Sequence, residues 1–228
     1  MSDVATSYEA PAIKALSGSV VEIKIPAPVQ PKGVGVNYVT SQDNKPQTYA
    51  NNIYVWKTTS NNVPWGTTPD GNTAVAADTP VSTQFLSFPF LVQQDYIVGY
   101  AVAADPNAVC STVYIPGATQ SDPSTYVTSD TTISINSWGN NYVQVKLTGL
   151  GNYSPSANKN WVGVWELDHV PYSGDPIAKT NVALTSAHGL IYIGNVPLTI
   201  GSTYSVGYFM AASPAGRTAL ACSVTFNT

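Results

Sequence analysis

Charge is what this chain has least of. Asp, Glu, Lys and Arg make up 10% of its 228 residues, against about a quarter in an ordinary globular domain. Nine basic residues face thirteen acidic ones, for a net charge of −4 and a pI near 4.9. No basic stripe is present to neutralise phosphates, so nucleic acid is not an expected partner. Titratable chemistry is equally thin. The two histidines, His169 and His188, stand outside any Gly-x-Ser-x-Gly, phosphate-loop or zinc-ligand spacing. An enzyme is not expected, nor a metal or cofactor. The densest polar run, Glu166, Asp168, His169 and Asp175, has no counterpart in "WKTTSNNVPWG" of the repeat described below, which points to solvated loop charges.

Long apolar runs are missing too. Nothing approaches the roughly 18 apolar residues of a membrane helix. The opening "MSDVATSYEAPAIKALSGS" lacks a cationic start followed by an apolar stretch, so no secretory signal is visible. The expectation is a soluble protein, cytoplasmic or exported by a route the sequence does not display, although the Ser, Thr and Asn-rich surface is of an extracellular kind. Disorder is not expected, because 43% of the residues are apolar and 11% aromatic.

What the chain does have is repetition. "YIVGYAVAADP" at Tyr96–Pro106 returns as "YSVGYFMAASP" at Tyr204–Pro214. The offset persists outward: Trp56 answers Trp165, Val63-Pro64-Trp65 answers Val170-Pro171-Tyr172, and Cys110 answers Cys222. These offsets lie within a few residues of about 108, the size of one small β-sandwich. The reading is an N-terminal tail or arm (1–16), a first module (17–116), a Pro/Ser/Thr-rich linker (117–130) and a second module (131–228). One cysteine per copy means that neither module can close a disulfide within itself. The two could meet only if those strands are adjacent, and buried free thiols are expected.

Within each copy, helix signals are nearly absent. Runs such as "SVVEIKIP", "GVGVNYVT", "NYVQVKL" and "ALACSVTF" alternate, are rich in Val, Ile, Tyr and Thr, and end at Gly, Pro, Asn or Asp. An all-β fold of two tandem sandwiches follows. "PLTIGSTYSVGYFMAAS", with Leu198, Gly201, Tyr204 and Val206, resembles the E–F corner and F strand of fibronectin type III modules in the immunoglobulin-like superfamily. The first copy keeps Leu91, Tyr96 and Val98 but has Gln where the Gly should stand. The resemblance implies a scaffold for adhesion, recognition or assembly, with the first Tyr hydroxyl bonded back to the corner backbone.

Two sets of residues are candidates for function. Alternation turns Gly99 and Gly207 outward. If Val55 and Val164 face the core, Trp56 and Trp165 face out and cover those glycines, forming an aromatic interface for another domain or subunit. The opposite phase, with both tryptophans in the core, is equally open. The second set lies in loops. Trp65 with Asp70 and Asn72, and Tyr172 with Asp175, pair a flat ring with short carboxylate or amide groups, the chemistry that holds a sugar. Alternatively each ring plugs the end of its sandwich. Two functions follow: a lectin-like, carbohydrate-binding recognition protein with one loop site per module, or a structural, self-assembling protein whose modules pair through sheet faces. The partner would be a glycan or a protein surface, with a homo-oligomer possible in either case.

Overall fold

The alternating runs become short strands because β-branched and aromatic residues suit a pleated, half-buried surface while Gly, Pro and Asn end each run. In the computed structural model, residues 15–211 and 215–228 are described. Most of the expected arm and the Ala212–Pro214 part of the repeated string lie outside them. The first copy forms β1 (Ala15–Ser17), β2 (Glu22–Lys24), β3 (Gly33–Val39), β4 (Asn52–Thr58), β5 (Gly71–Ala74), β6 (Val81–Ser87), β7 (Asp95–Ala101) and β8 (Val109–Ile115). The second, with the segment that leads into it, forms β9 (Val127–Asp130), β10 (Thr132–Gly139), β11 (Tyr142–Thr148), β12 (Trp161–Trp165), β13 (Ala178–Asn181), β14 (His188–Gly194), β15 (Thr203–Phe209) and β16 (Leu220–Asn227).

All pairings are antiparallel, and each copy is a β-sandwich of a three-stranded and a five-stranded sheet. The sheets run β2-β3-β6 and β5-β4-β7-β8-β9 in the first module, and β10-β11-β14 and β13-β12-β15-β16-β1 in the second. The outer strands carry a finding that alternation did not anticipate. β1 leads into the first module yet pairs with β16 of the second, and β9 leads into the second yet pairs with β8 of the first. The modules exchange their leading strands. The segment expected as a linker therefore holds two 3-10 turns, Gly117–Thr119 and Pro123–Thr125, and then a ladder strand. Ala15 and Leu16, expected in a tail, belong to a sheet.

Close approach at the crossings has a visible cause. A Cβ on Gly18 would stand 2.4 Å from the Ser223 carbonyl oxygen, so only glycine lets the two backbones meet there. The Ser223 N–H donates to Ser19 O at 2.8 Å, and the Thr131 N–H donates to Cys110 O at 2.7 Å. Beside the second crossing, Ser111 Oγ accepts from the Ile23 N–H at 3.0 Å and donates to Asp130 Oδ1 at 2.5 Å. Burial raises the Asp130 carboxyl above its usual range, helped by Glu22 and opposed by the Ser111 bond and Lys24. A raised folded-state value favours the native state below the unfolded value, and that contribution fades as pH rises through the folded one. Asp130→Asn keeps an acceptor for Ser111 and removes the charge. Thermal melts at pH 5 and pH 7 should therefore show the variant losing the part of the acid-side gain that Asp130 gives the wild type. At pH 7 it should be at least as stable as the wild type. A variant less stable at both pH values would contradict this.

The core follows the alternation. On β7 and β15, Tyr96, Val98 and Tyr100 and their counterparts Tyr204, Val206 and Tyr208 are buried. The Tyr96 hydroxyl accepts from the Leu91 N–H and the Tyr204 hydroxyl from the Thr199 N–H, both at 2.8 Å, so the expected corner forms in both copies. One assignment changes. Leu91 is exposed, and Phe90 takes the packing place that Leu198 holds in the second copy, its ring edge-on to Tyr96 at 4.8 Å.

A buried amide at the start of the central strand escaped the sequence reading. Asn51 and Asn160 are fully buried. Tyr100 donates to Asn51 Oδ1 at 2.9 Å, as does Asn44 Nδ2 at 2.8 Å. Asn160 Nδ2 donates to the Tyr208 hydroxyl at 2.6 Å and lies 3.0 Å from that of Tyr153. Each Asn N–H closes a turn onto a proline carbonyl, Pro46 or Pro155, with Ala50 or Lys159 in the left-handed region just before it. The legible signal was Pro followed five residues later by Asn, present in both copies.

Candidate functional site

The ladder resolves the phase of the central strands. Val55 pairs with Val98 and Val164 with Val206, all buried in the sandwich, so Trp56 and Trp165 lie on the outer face. Trp56 covers Gly99: a Cβ there would be 3.4 Å from its Cζ3 and 2.8 Å from Val109. The second copy differs from expectation. Trp165 lies over Gly163, while Gly207 is covered by Phe209, Val170 and Leu220. Neither tryptophan meets solvent, with Trp56 2% and Trp165 3% exposed. The turn after each strand folds back over the face and buries Val63 or Val170 against it. In the second module Trp161, Trp165, Phe209, Val170 and Leu220 form a separate cluster, with Trp161 stacked on Phe209 at 4.1 Å and 7°.

Those same turns carry the loop rings across to the neighbouring module. Trp65 Nε1 donates to Gly151 O at 2.9 Å, and its ring lies 4.7 Å from Tyr153. Tyr153 in turn donates to Asn107 O at 2.8 Å. Reciprocally, Tyr172 stacks on Tyr49 at 5.2 Å and bonds Ser41, and burial raises its hydroxyl above the usual range. Each ring is half-buried and joins the two modules rather than plugging its own. A shallow cavity of about 300 Å³ remains beside Trp65, lined also by Trp56, Thr67 and Asn107.

Two of the three polar groups expected beside the rings are engaged elsewhere. Asp70 accepts from the Lys57 N–H at 2.7 Å and lies 3.9 Å from its Nζ. Asn72 is exposed on β5, and Asp175 pairs with Arg217. Of the remaining charged run, Glu166 accepts from Ser202 at 2.7 Å. His169 Nδ1 stands 2.7 Å from Asp168 and Nε2 3.5 Å from Asp43 of the other module, and its bond holds the Asp168 carboxyl below the usual range. Among the described residues no group of three His, Cys, Asp or Glu could hold a metal ion. Cys110 and Cys222 are free and buried, and burial raises both thiols, with Cys222 adding to the shift at Cys110. No helix among the described residues is long and apolar enough to cross a membrane.

Open rings occur instead on the outer faces of the three-stranded sheets. Phe85 on β6 is 54% exposed and Tyr192 on β14 is 58% exposed. They are counterparts in the repeat, at the spacing that relates Trp65 to Tyr172. Sequence reasoning passed over both because a single aromatic in an alternating strand looks like any other strand residue.

No protein-family model matches the chain. No curated protein matches it either. Among solved structures, a "Biofilm associated protein - BSP domain" is similar over 87% of this chain, at 12% identity and a TM-score of 0.23. The chain spans 27% of the length of that structure.

Proposed function

We propose that the chain is a non-enzymatic structural or adhesive unit that holds two recognition faces in a fixed relation. One observation carries this reading: both leading strands and both loop rings are committed to joining the modules. A joint made of ladder strands and half-buried aromatic contacts resists reorientation far more than a flexible linker does. Titratable side chains are dispersed and paired locally, an arrangement suited to a scaffold rather than to proton transfer. Recognition fits better than self-assembly through the central-strand tryptophans, since those are covered within the chain. It also fits the outer sheet faces better than the loops.

The test is attachment. Beads bearing the full chain are passed over coatings of cell-surface polysaccharides and matrix proteins under shear, with light scattering of the free protein alongside. Attachment to at least one coating beyond albumin-coated beads is expected. Beads that attach nowhere, together with a protein that stays monomeric at high concentration, would overturn the reading.

A further inference from the structure

We infer that the outer faces around Phe85 and Tyr192 are a matched pair of binding platforms for neutral saccharide. The inference rests on the recognition reading above and names its ligand class and site. Its first ground is ring posture. A Cβ on Gly33 would stand 2.6 Å from Phe85 Cζ, and one on Gly194 would stand 3.2 Å from Tyr192 Cε1. Each ring thus leans over a glycine, where a side chain would otherwise prop it upright. Gly33 is further fixed by its φ of +148°, a conformation other residues rarely adopt. In the second module Tyr142 leans over Gly139 in the same manner and lies 5.4 Å from Tyr192 at 21°. Rings that lie down on a sheet offer a broad apolar surface, which the CH face of a pyranose matches.

The second ground is the adjoining polar groups. Asn37 Oδ1 accepts from Thr83 at 2.7 Å, and Gln144 Oε1 accepts from Asn136 at 2.6 Å. Those bonds fix each amide, and no hydrogen bond is made by Asn37 Nδ2 or Gln144 Nε2 among the described residues. An oriented amide donor beside an open ring can bond a sugar hydroxyl. The third ground is charge. β3, β6, β11 and β14 carry no carboxylate. The first face adds one exposed group of each sign on its edge strand, Glu22 and Lys24 of β2, and the second carries Lys146 and His188, so neither face presents a run of acidic charge. A neutral ligand fits that field. A protein partner fits less well, because a specific protein interface buries about 800 Å² per partner around several desolvated anchors. Each face here offers one fully open ring, with Val39 and Val81 exposed on the first and Leu190 on the second, among Gly, Ser, Thr, Asn and Gln.

The experiment uses the full chain with three probes, cellohexaose, chitohexaose and maltohexaose, by titration calorimetry, and with the corresponding polysaccharides on a surface. At least one hexasaccharide should bind weakly. Tyr192→Ala and Phe85→Ala should each remove one site, while Tyr192→Phe should retain it. Two platforms on one rigid body act together on a polymer, so losing either should weaken surface binding by about 100-fold. Both rings are exposed, so melting temperatures of the variants should match the wild type, which makes a loss of binding interpretable. The site is overturned if no hexasaccharide binds the wild type, if binding survives in the double variant, or if the double variant changes only the oligomeric state. Wild-type beads that attach to a protein coating while no saccharide binds would leave the adhesive unit standing without this site. Wild-type beads that attach nowhere would remove the underlying reading itself.

Discussion

Replacing Trp161 by alanine should lower the stability of the whole chain by about 3–5 kcal/mol, the usual cost of emptying a buried tryptophan site. Trp161 is 1% exposed and stacked on Phe209, and its cluster has few large members to collapse into the gap. For a chain of this length each kcal/mol moves the melting temperature by about 2–4 °C, so a drop of roughly 6–20 °C is expected. The form of the transition is as informative as its position. β1 completes the second module and β9 the first, so neither sandwich can unfold without stripping a strand from the other. Calorimetry should show one transition, with equal calorimetric and van't Hoff enthalpies, in wild type and variant alike. Two transitions, of which only one moves, would show that the modules are energetically separate.

The buried amides should have the next largest effect. Asn160→Leu conserves approximate volume but strips hydrogen-bond partners from the hydroxyls of Tyr153 and Tyr208. An unpaired buried polar group costs about 1–3 kcal/mol, so a loss of roughly 2–4 kcal/mol is expected. Asn51→Leu should behave alike, since Asn51 serves Tyr100 and Asn44. The discriminating variant is the double one. Asn160→Leu with Tyr208→Phe removes both ends of one bond, and removing both partners is far cheaper than orphaning one. Denaturant midpoints should place the double variant above Asn160→Leu alone. A double variant as unstable as the sum of the two singles would mean that the amide acts through packing rather than through its hydrogen bonds.

Much of this architecture was legible in the residues. The repeated Tyr-x-Val-Gly-Tyr string located β7 and β15, and its alternation correctly put Tyr96, Val98, Tyr100 and their counterparts in the core. The corner tyrosines were legible through the resemblance carried by Leu198, Gly201, Tyr204 and Val206, and their bond closes within five residues. Burial of Cys110 and Cys222 followed from apolar neighbours on the same strand. Four of the five strands of three or four residues, β1, β5, β9 and β13, were missed, because so few positions carry no readable period.

The larger omissions were questions of partner rather than of pattern. Alternation states which face of a strand is apolar and says nothing about which open edge it will join. β1 and β9 therefore read as tail and linker until the sheets they complete were in place. The same holds for the rings. Trp65 and Tyr172 look like free loop aromatics in sequence, and only the proximity of the other module's turns assigns them to Gly151, Tyr153 and Tyr49. Trp56 and Trp165 face outward as alternation allows, yet the fold of the following turn decides that they are covered. Local sequence thus determined most of the strands, the phase of β7 and β15 and the duplication, since these depend on side chains a few residues apart, whereas the phase of β4 and β12 waited for the ladder. The tertiary structure decided which edges pair and which rings remain in solvent, because both depend on surfaces that meet only when distant segments pack.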